Sequence, residues 1–125
     1  MHHSDLIRVK RVKGKGRGVF ARKQIQAGSV IEKVPVIIIP NNTFVDGEPN
    51  PYRMKYFFVW SKSTVAMVLG YGSIYNHSYA PNARYEHGPM VLTFRALRDI
   101  EKDEEITINY NYTPGDKASV GFEVV

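Results

Sequence analysis

The sequence predicts a mainly β fold made of several small sheets, and three observations predict it. Apolar runs at 6–12, 18–22, 29–39, 56–60, 64–69, 90–96 and 105–110 are short and rich in β-branched and aromatic residues. Turn-forming residues separate them: Gly14-Lys15-Gly16-Arg17-Gly18, Gln26-Ala27-Gly28, Asp46-Gly47, His87-Gly88-Pro89 and Lys102-Asp103-Glu104. No ten-residue segment carries apolar residues at helical spacing, which leaves a turn or two within Pro51–Met54 and a tight turn over Gly72–Tyr75 entering Asn76. There is no internal repeat and no low-complexity tract.

Size and composition bound the rest. At 125 residues, 43% hydrophobic and 12% aromatic, the chain is expected to form one domain over 1–125, with its core at about 7–112 and a tail or lid at 113–125. The longest apolar stretch, VPVIIIP at 34–40, falls far short of the roughly 20 residues that span a bilayer, so no membrane segment is expected. The opening MHHSDLIRVKRVKG places charge where a signal peptide needs unbroken apolar residues. The expected location is therefore cytoplasmic in a bacterium, or nuclear or host-directed for a viral or effector protein. With no cysteine, disulfides, thiolate nucleophiles and thiolate-bound zinc are excluded. Four histidines, two of them at the start of the chain, make a histidine metal site a poor expectation. Three N-glycosylation patterns, beginning at Asn41, Asn76 and Asn111, lack the secretory route they need.

Charge is uneven. The net charge is +5, and eight of the 17 basic residues (Arg8, Lys10, Arg11, Lys13, Lys15, Arg17, Arg22, Lys23) fall in 8–23 with no acid between them. Such a run either meets phosphates or another anion, or is a solvated strand edge guarded by charge. Both readings stand at this point.

Three blocks carry candidate chemistry. GKGRGVFARKQIQAGSVIEK at 14–33 is a glycine-rich turn running into a strand, then a second glycine turn. It is not a dinucleotide fingerprint, because no helix follows to present its N-terminus to a pyrophosphate. GYGSIYNHSYAPNARY at 70–85 centres on Asn76-His77-Ser78 followed by Pro81-Asn82, a polar cluster among aromatics. Buried turns often use such residues to satisfy backbone groups, and no triad pattern accompanies Ser78 and His77. DEEITINYNY at 103–112 is an acidic turn entering a strand that ends in two tyrosines.

In this order the blocks resemble the SET domain of protein-lysine methyltransferases. GRGVFA is similar to its opening glycine motif, NHSYAPNARY to its Asn-His-Ser motif and EEITINY to its closing motif, covering about 7–112. The resemblance is closest to the minimal single-domain SET proteins of viruses and bacteria. It implies a SET-domain fold of small β-sheets around a knot-like crossing of Asn76–Ser78 with the C-terminal strand. It also implies S-adenosyl-L-methionine as cofactor and a lysine-containing protein, histone or other basic protein, as substrate. With no cysteine in the sequence, zinc-binding flanks like those of larger members are not expected.

By the same resemblance, Tyr110 is the catalytic residue. Gly16, Arg17, Gly18, Asn76 and His77 bind the cofactor, with Arg17 or Lys15 on its carboxylate. Tyr56, Tyr85 and Tyr112 line the substrate channel, with Phe58 and Trp60 as looser candidates. The physics suits this. A free lysine has a pKa of about 10.4 and no lone pair near neutrality. Desolvation, together with a like-charged sulfonium at roughly 5 Å (about 3 kcal/mol at an effective dielectric near 20), releases the proton without a dedicated base. A +5 enzyme needs local acids to meet a basic peptide, and Asp103, Glu104 and Glu105 or other local acids would have to supply them. The tail after Tyr112 is expected to fold over the cofactor or pack on a second subunit, which makes a homodimer one expectation. Two other readings remain: a SET-like module that binds cofactor or peptide without turnover, and a basic β-domain that binds nucleic acid through 8–23. Under the SET reading, nucleic acid is only an indirect partner.

Overall fold

The computed structural model describes residues 5–40 and 57–110, with backbone only for 57–59. Nine strands are described: β1 (Ile7–Val12), β2 (Gly16–Ala21), β3 (Val30–Pro40), β4 (Phe57–Val59), β5 (Thr64–Val68), β6 (Asn76–His77), β7 (Ala83–Gly88), β8 (Val91–Ala96) and β9 (Glu105–Ile108). No helix occurs among the described residues. The turn at Asp46-Gly47, the segment Pro51–Met54, Tyr56, Tyr112 and the tail that carries the homodimer expectation lie outside them.

β1 and β2 form a hairpin whose turn lies at 13–15, where the Lys15 amide donates to the Val12 carbonyl. Gly14 and Gly16 both adopt φ near +81°, the left-handed region that residues with a side chain avoid. The hairpin extends into a four-stranded sheet in the order β1-β2-β9-β6. β9 runs antiparallel to β2 and parallel to β6, so the C-terminal strand is inserted between the glycine hairpin and Asn76-His77. This is the expected meeting of the Asn-His-Ser segment with the last strand.

The second sheet has five strands in the order β4-β5-β3-β8-β7. β3 is a single 11-residue strand running through Pro35. Its first half pairs with β8 and its second half with β5, and Pro35 sits at the exchange. There the missing N–H of proline breaks no ladder, while the Pro35 carbonyl still accepts from the Leu69 amide.

Strand β7 was not among the expected runs. Its sequence ARYEHG offers only Ala83 and Tyr85 to the core, and its charges are paired instead: Arg84 with Glu86, and Glu86 across the ladder with Arg95 on β8. Between the sheets lies a core that includes Val19, Ile31, Val34, Tyr75, Leu92, Phe94, Ile100, Ile106 and Ile108. Tyr75 stacks on Phe94 with ring centroids 4.3 Å apart. An isolated bridge between Ile25 and Ile100 ties the link after β2 to the approach to β9.

Candidate active site

Strand alternation decides which side chains share the site. Successive residues of a strand point to opposite faces. Gly18 pairs with Lys10, Phe20 with Glu105, and Asn76 with Thr107, so Gly16, Gly18, Glu105 and Asn76 lie on one face of the small sheet. Val19, Ile106, Ile108 and His77 lie on the other, toward the core.

On the first face the Asn76 side-chain amide donates to the Arg17 carbonyl (2.8 Å) and to Glu105 Oε2 (2.7 Å). Lys15 Nζ approaches Glu105 Oε1 at 3.7 Å. Gly18 makes the cluster possible: a Cβ there would stand 2.5 Å from Glu105 Oε2 and 3.0 Å from Asn76 Nδ2. At Gly16 the backbone is bare, with nothing within 4 Å of a Cβ position.

Arg17 is exposed and takes the opposite parity from Gly16 and Gly18, so only its carbonyl joins the cluster. Of the two basic candidates for a carboxylate, Lys15 is the one placed there. His77 also has the inward parity: it is 3% exposed, and its Nδ1 accepts from the Tyr110 amide at 2.9 Å. Its imidazole therefore holds the chain at Tyr110, and its backbone pairs with β9. Burial first, and the Lys15 charge second, lower its pKa and keep the ring neutral.

Tyr110 follows β9 after Asn109. Its ring lies 5.1 Å from that of His77, and its hydroxyl donates to the Tyr75 carbonyl at 2.7 Å. Tyr75 is anchored in turn, its own hydroxyl donating to Glu32 Oε1 (2.9 Å) while Glu32 Oε2 accepts the Tyr71 amide (3.0 Å). Burial, and then Glu32, raise the Tyr75 pKa well above its ordinary value, so the phenol stays a donor.

Tyr85, expected in the channel, is 4% exposed and donates its hydroxyl to the Tyr110 carbonyl at 3.3 Å. Its placement braces Tyr110 from behind. Trp60 stacks on His87 at 4.3 Å, and His87 lies 6.1 Å from Tyr85, a row of rings ending at the site. The Phe58 side chain lies outside the described residues.

Two contributors went unassigned from sequence. Asn82 is 2% exposed and clamps β9: its amide donates to the Glu105 carbonyl (2.8 Å) and its oxygen accepts from the Thr107 amide (2.9 Å). Glu32 shares the parity of the buried Val34 and Val36, a signal that an acid on an apolar strand face has a buried partner. The acids expected to offset a basic peptide are already engaged: Asp103 by Arg8, Glu104 by Arg98, Glu105 by Lys15 and Asn76. Among the described residues no group of three or more metal-ligating side chains occurs.

Comparison with known proteins agrees with this geometry. The SET domain family model matches residues 16–111, which span β2, the Asn76–Ser78 segment and β9. The chain belongs to the SET domain family. A Schizosaccharomyces pombe protein named histone-lysine N-methyltransferase, H3 lysine-37 specific, is 33% identical over 98 residues, 77% of this chain and 67% of that one. The crystal structure of a Plasmodium falciparum protein described as a candidate histone methyltransferase superposes with a TM-score of 0.71 at 31% identity, covering 88% of this chain and 95% of that one. The sequence-based assignment to the protein-lysine methyltransferases stands on these matches. No described helix is long and apolar enough to cross a membrane.

Proposed function

We propose that this SET domain transfers a methyl group from S-adenosylmethionine to the ε-amine of a lysine in a protein, and that Tyr110 positions that amine. The observation that carries the proposal is the Tyr110 hydroxyl. Its proton is committed to the Tyr75 carbonyl, so toward an incoming amine the oxygen acts as an acceptor. An amine that donates an N–H to that oxygen is held with its own lone pair aimed away from the phenol, the orientation an in-line displacement needs.

The donor set suits the cofactor. Its methionine part carries one carboxylate and one ammonium, and the cluster offers Lys15 to the first and Glu105 to the second, with Asn76 between them and bare backbone at Gly16. When bound, S-adenosylmethionine supplies an electrophilic methyl group on a sulfonium. The protein's part is to keep the incoming amine neutral and aligned. The rings of Tyr110, His77 and Tyr79, the last two in edge contact at 4.4 Å, exclude water. The neutral imidazole adds no competing charge. His77 Nδ1 is engaged by the Tyr110 amide and does not act as the base.

The substrate we propose is a lysine-rich protein, and the names of the relatives make histones the first to try. Labelled methyl transfer to histones tests the reading. Wild type is expected to transfer label, and Tyr110→Phe to lower kcat by about 100-fold, the typical loss for one positioned group. Equal rates would remove Tyr110 from the chemistry. Cofactor binding with no transfer to any protein would favour a non-catalytic module.

A further inference from the structure

The basic run at 8–23 divides into two sets. Arg8 pairs with Asp103, Lys10 lies 4.5 Å above the Phe20 ring, and Lys15 pairs with Glu105. Arg11, Lys13, Arg17, Arg22 and Lys23 are exposed, and none takes part in an ion pair among the described residues. Two of these are directly opposed, since Arg11 is the cross-strand partner of Arg17. Like charges in that relation destabilise a hairpin, and Lys13 in the connecting turn adds a third.

The three charges crowd the free end of the hairpin. Arg11 and Arg17 project from the face opposite Gly16, Gly18 and Asn76, so a ligand there leaves the cofactor cluster open. Among the described residues the exposed large apolar side chains, Val30, Ile37, Met67, Leu69, Met90 and Leu97, all lie outside the hairpin. It therefore has nothing to insert among acyl chains, which disfavours a lipid surface.

We propose that the end of the β1–β2 hairpin binds the phosphodiester backbone of a nucleic acid through Arg11, Lys13 and Arg17. A polyanion relieves the repulsion between the opposed arginines and gains counterion release, and the contact is blind to sequence. Binding stands independently of methyl transfer. One consequence rests on the lysine-methyltransferase reading: docking on nucleic acid brings a basic enzyme to basic proteins that coat it, without needing free acids on its own surface.

Fluorescence anisotropy of the full chain with a labelled duplex DNA of about 20 base pairs tests this, with duplex RNA, single-stranded DNA and anionic vesicles of phosphatidylserine and phosphatidylcholine alongside. Three phosphate contacts give a slope of log K against log salt of about −2.7 on duplex DNA. Arg11→Gln/Lys13→Gln is expected to lower the slope magnitude by about 2 and the affinity by more than tenfold. It should leave circular dichroism and methyl transfer to a free peptide unchanged. Lys33→Gln/Lys62→Gln, which removes the same charge elsewhere, should leave the slope unchanged. The nucleic acid bound most tightly identifies the source of phosphate. No binding at low salt to any of them, equal losses in the two double variants, or a preference for vesicles would overturn the proposal.

Discussion

Tyr75→Phe isolates the link between the buried carboxylate and Tyr110, the tyrosine proposed to position the amine. The substitution keeps the ring and its stack on Phe94, and keeps the backbone carbonyl that accepts from Tyr110. It deletes only the 2.9 Å hydrogen bond to Glu32, a residue 9% exposed. Hydrogen bonds to charged groups contribute about 1.5–3 kcal/mol, and Glu32 keeps the Tyr71 amide, so the expected loss is about 2 kcal/mol. At an m-value of about 2 kcal/mol/M the urea midpoint should fall by about 1 M with m unchanged. Loosening Tyr75 should also let its carbonyl wander from the Tyr110 hydroxyl, lowering kcat a few-fold with no change in cofactor affinity. The discriminating assay is a double-mutant cycle. In a Tyr110→Phe background that carbonyl has no hydroxyl to hold, so Tyr75→Phe should cost stability but no further activity. A midpoint equal to wild type, or the same loss of kcat in both backgrounds, would refute the coupling.

Three other outcomes follow from the geometry. Gly18→Ala forces a Cβ against Glu105 and Asn76 and should weaken S-adenosylmethionine binding by more than tenfold in calorimetry, with a smaller effect on thermal stability because those side chains can shift. Asn82→Ala leaves the Glu105 carbonyl and the Thr107 amide without their buried partner; at about 1–3 kcal/mol each it should lower unfolding free energy by about 2–6 kcal/mol, measured by urea denaturation. Glu104 is held at about 2, chiefly by its hydrogen bond to Arg98. A depressed carboxylate pKa stabilises the fold above the unfolded value near 4.5, and that contribution disappears as pH falls toward 2. Arg98→Gln should flatten the acid limb of a pH-melting curve, and an unchanged limb would show that solvent screens the pair.

The parts of the fold that follow period-2 patterning were legible in the sequence. The apolar runs around β1, β3, β5, β8 and β9 fall where strands form, and the glycines at 14 and 16 mark the first hairpin. β7 was not legible because its pairing rests on charges that find each other only across the ladder, Glu86 with Arg95. The meeting of Asn76–His77 with β9 was implied only by the resemblance to the SET family, since periodicity carries no information about which strands pair.

Within the site, sequence named Tyr110 and Asn76 but could not say which way Arg17, His77 and Tyr85 face. Parity relative to neighbouring strands decides that, and the register is a tertiary fact. Glu32 and Tyr75 are 43 positions apart, and their bond appears only once β3 and the turn before β6 are packed together. Asn82 stands in sequence as a loop residue and becomes a clamp because β9 passes beside it.

In the proposed mechanism one pocket holds the methyl donor beside the Tyr110 hydroxyl. A crystal structure of the protein with S-adenosylhomocysteine, the demethylated product, tests it most directly. The amino acid end of the ligand is expected against Lys15, Asn76 and Glu105, with its sulfur directed at Tyr110. A ligand seated elsewhere, or one whose sulfur points away from that phenol, would contradict it.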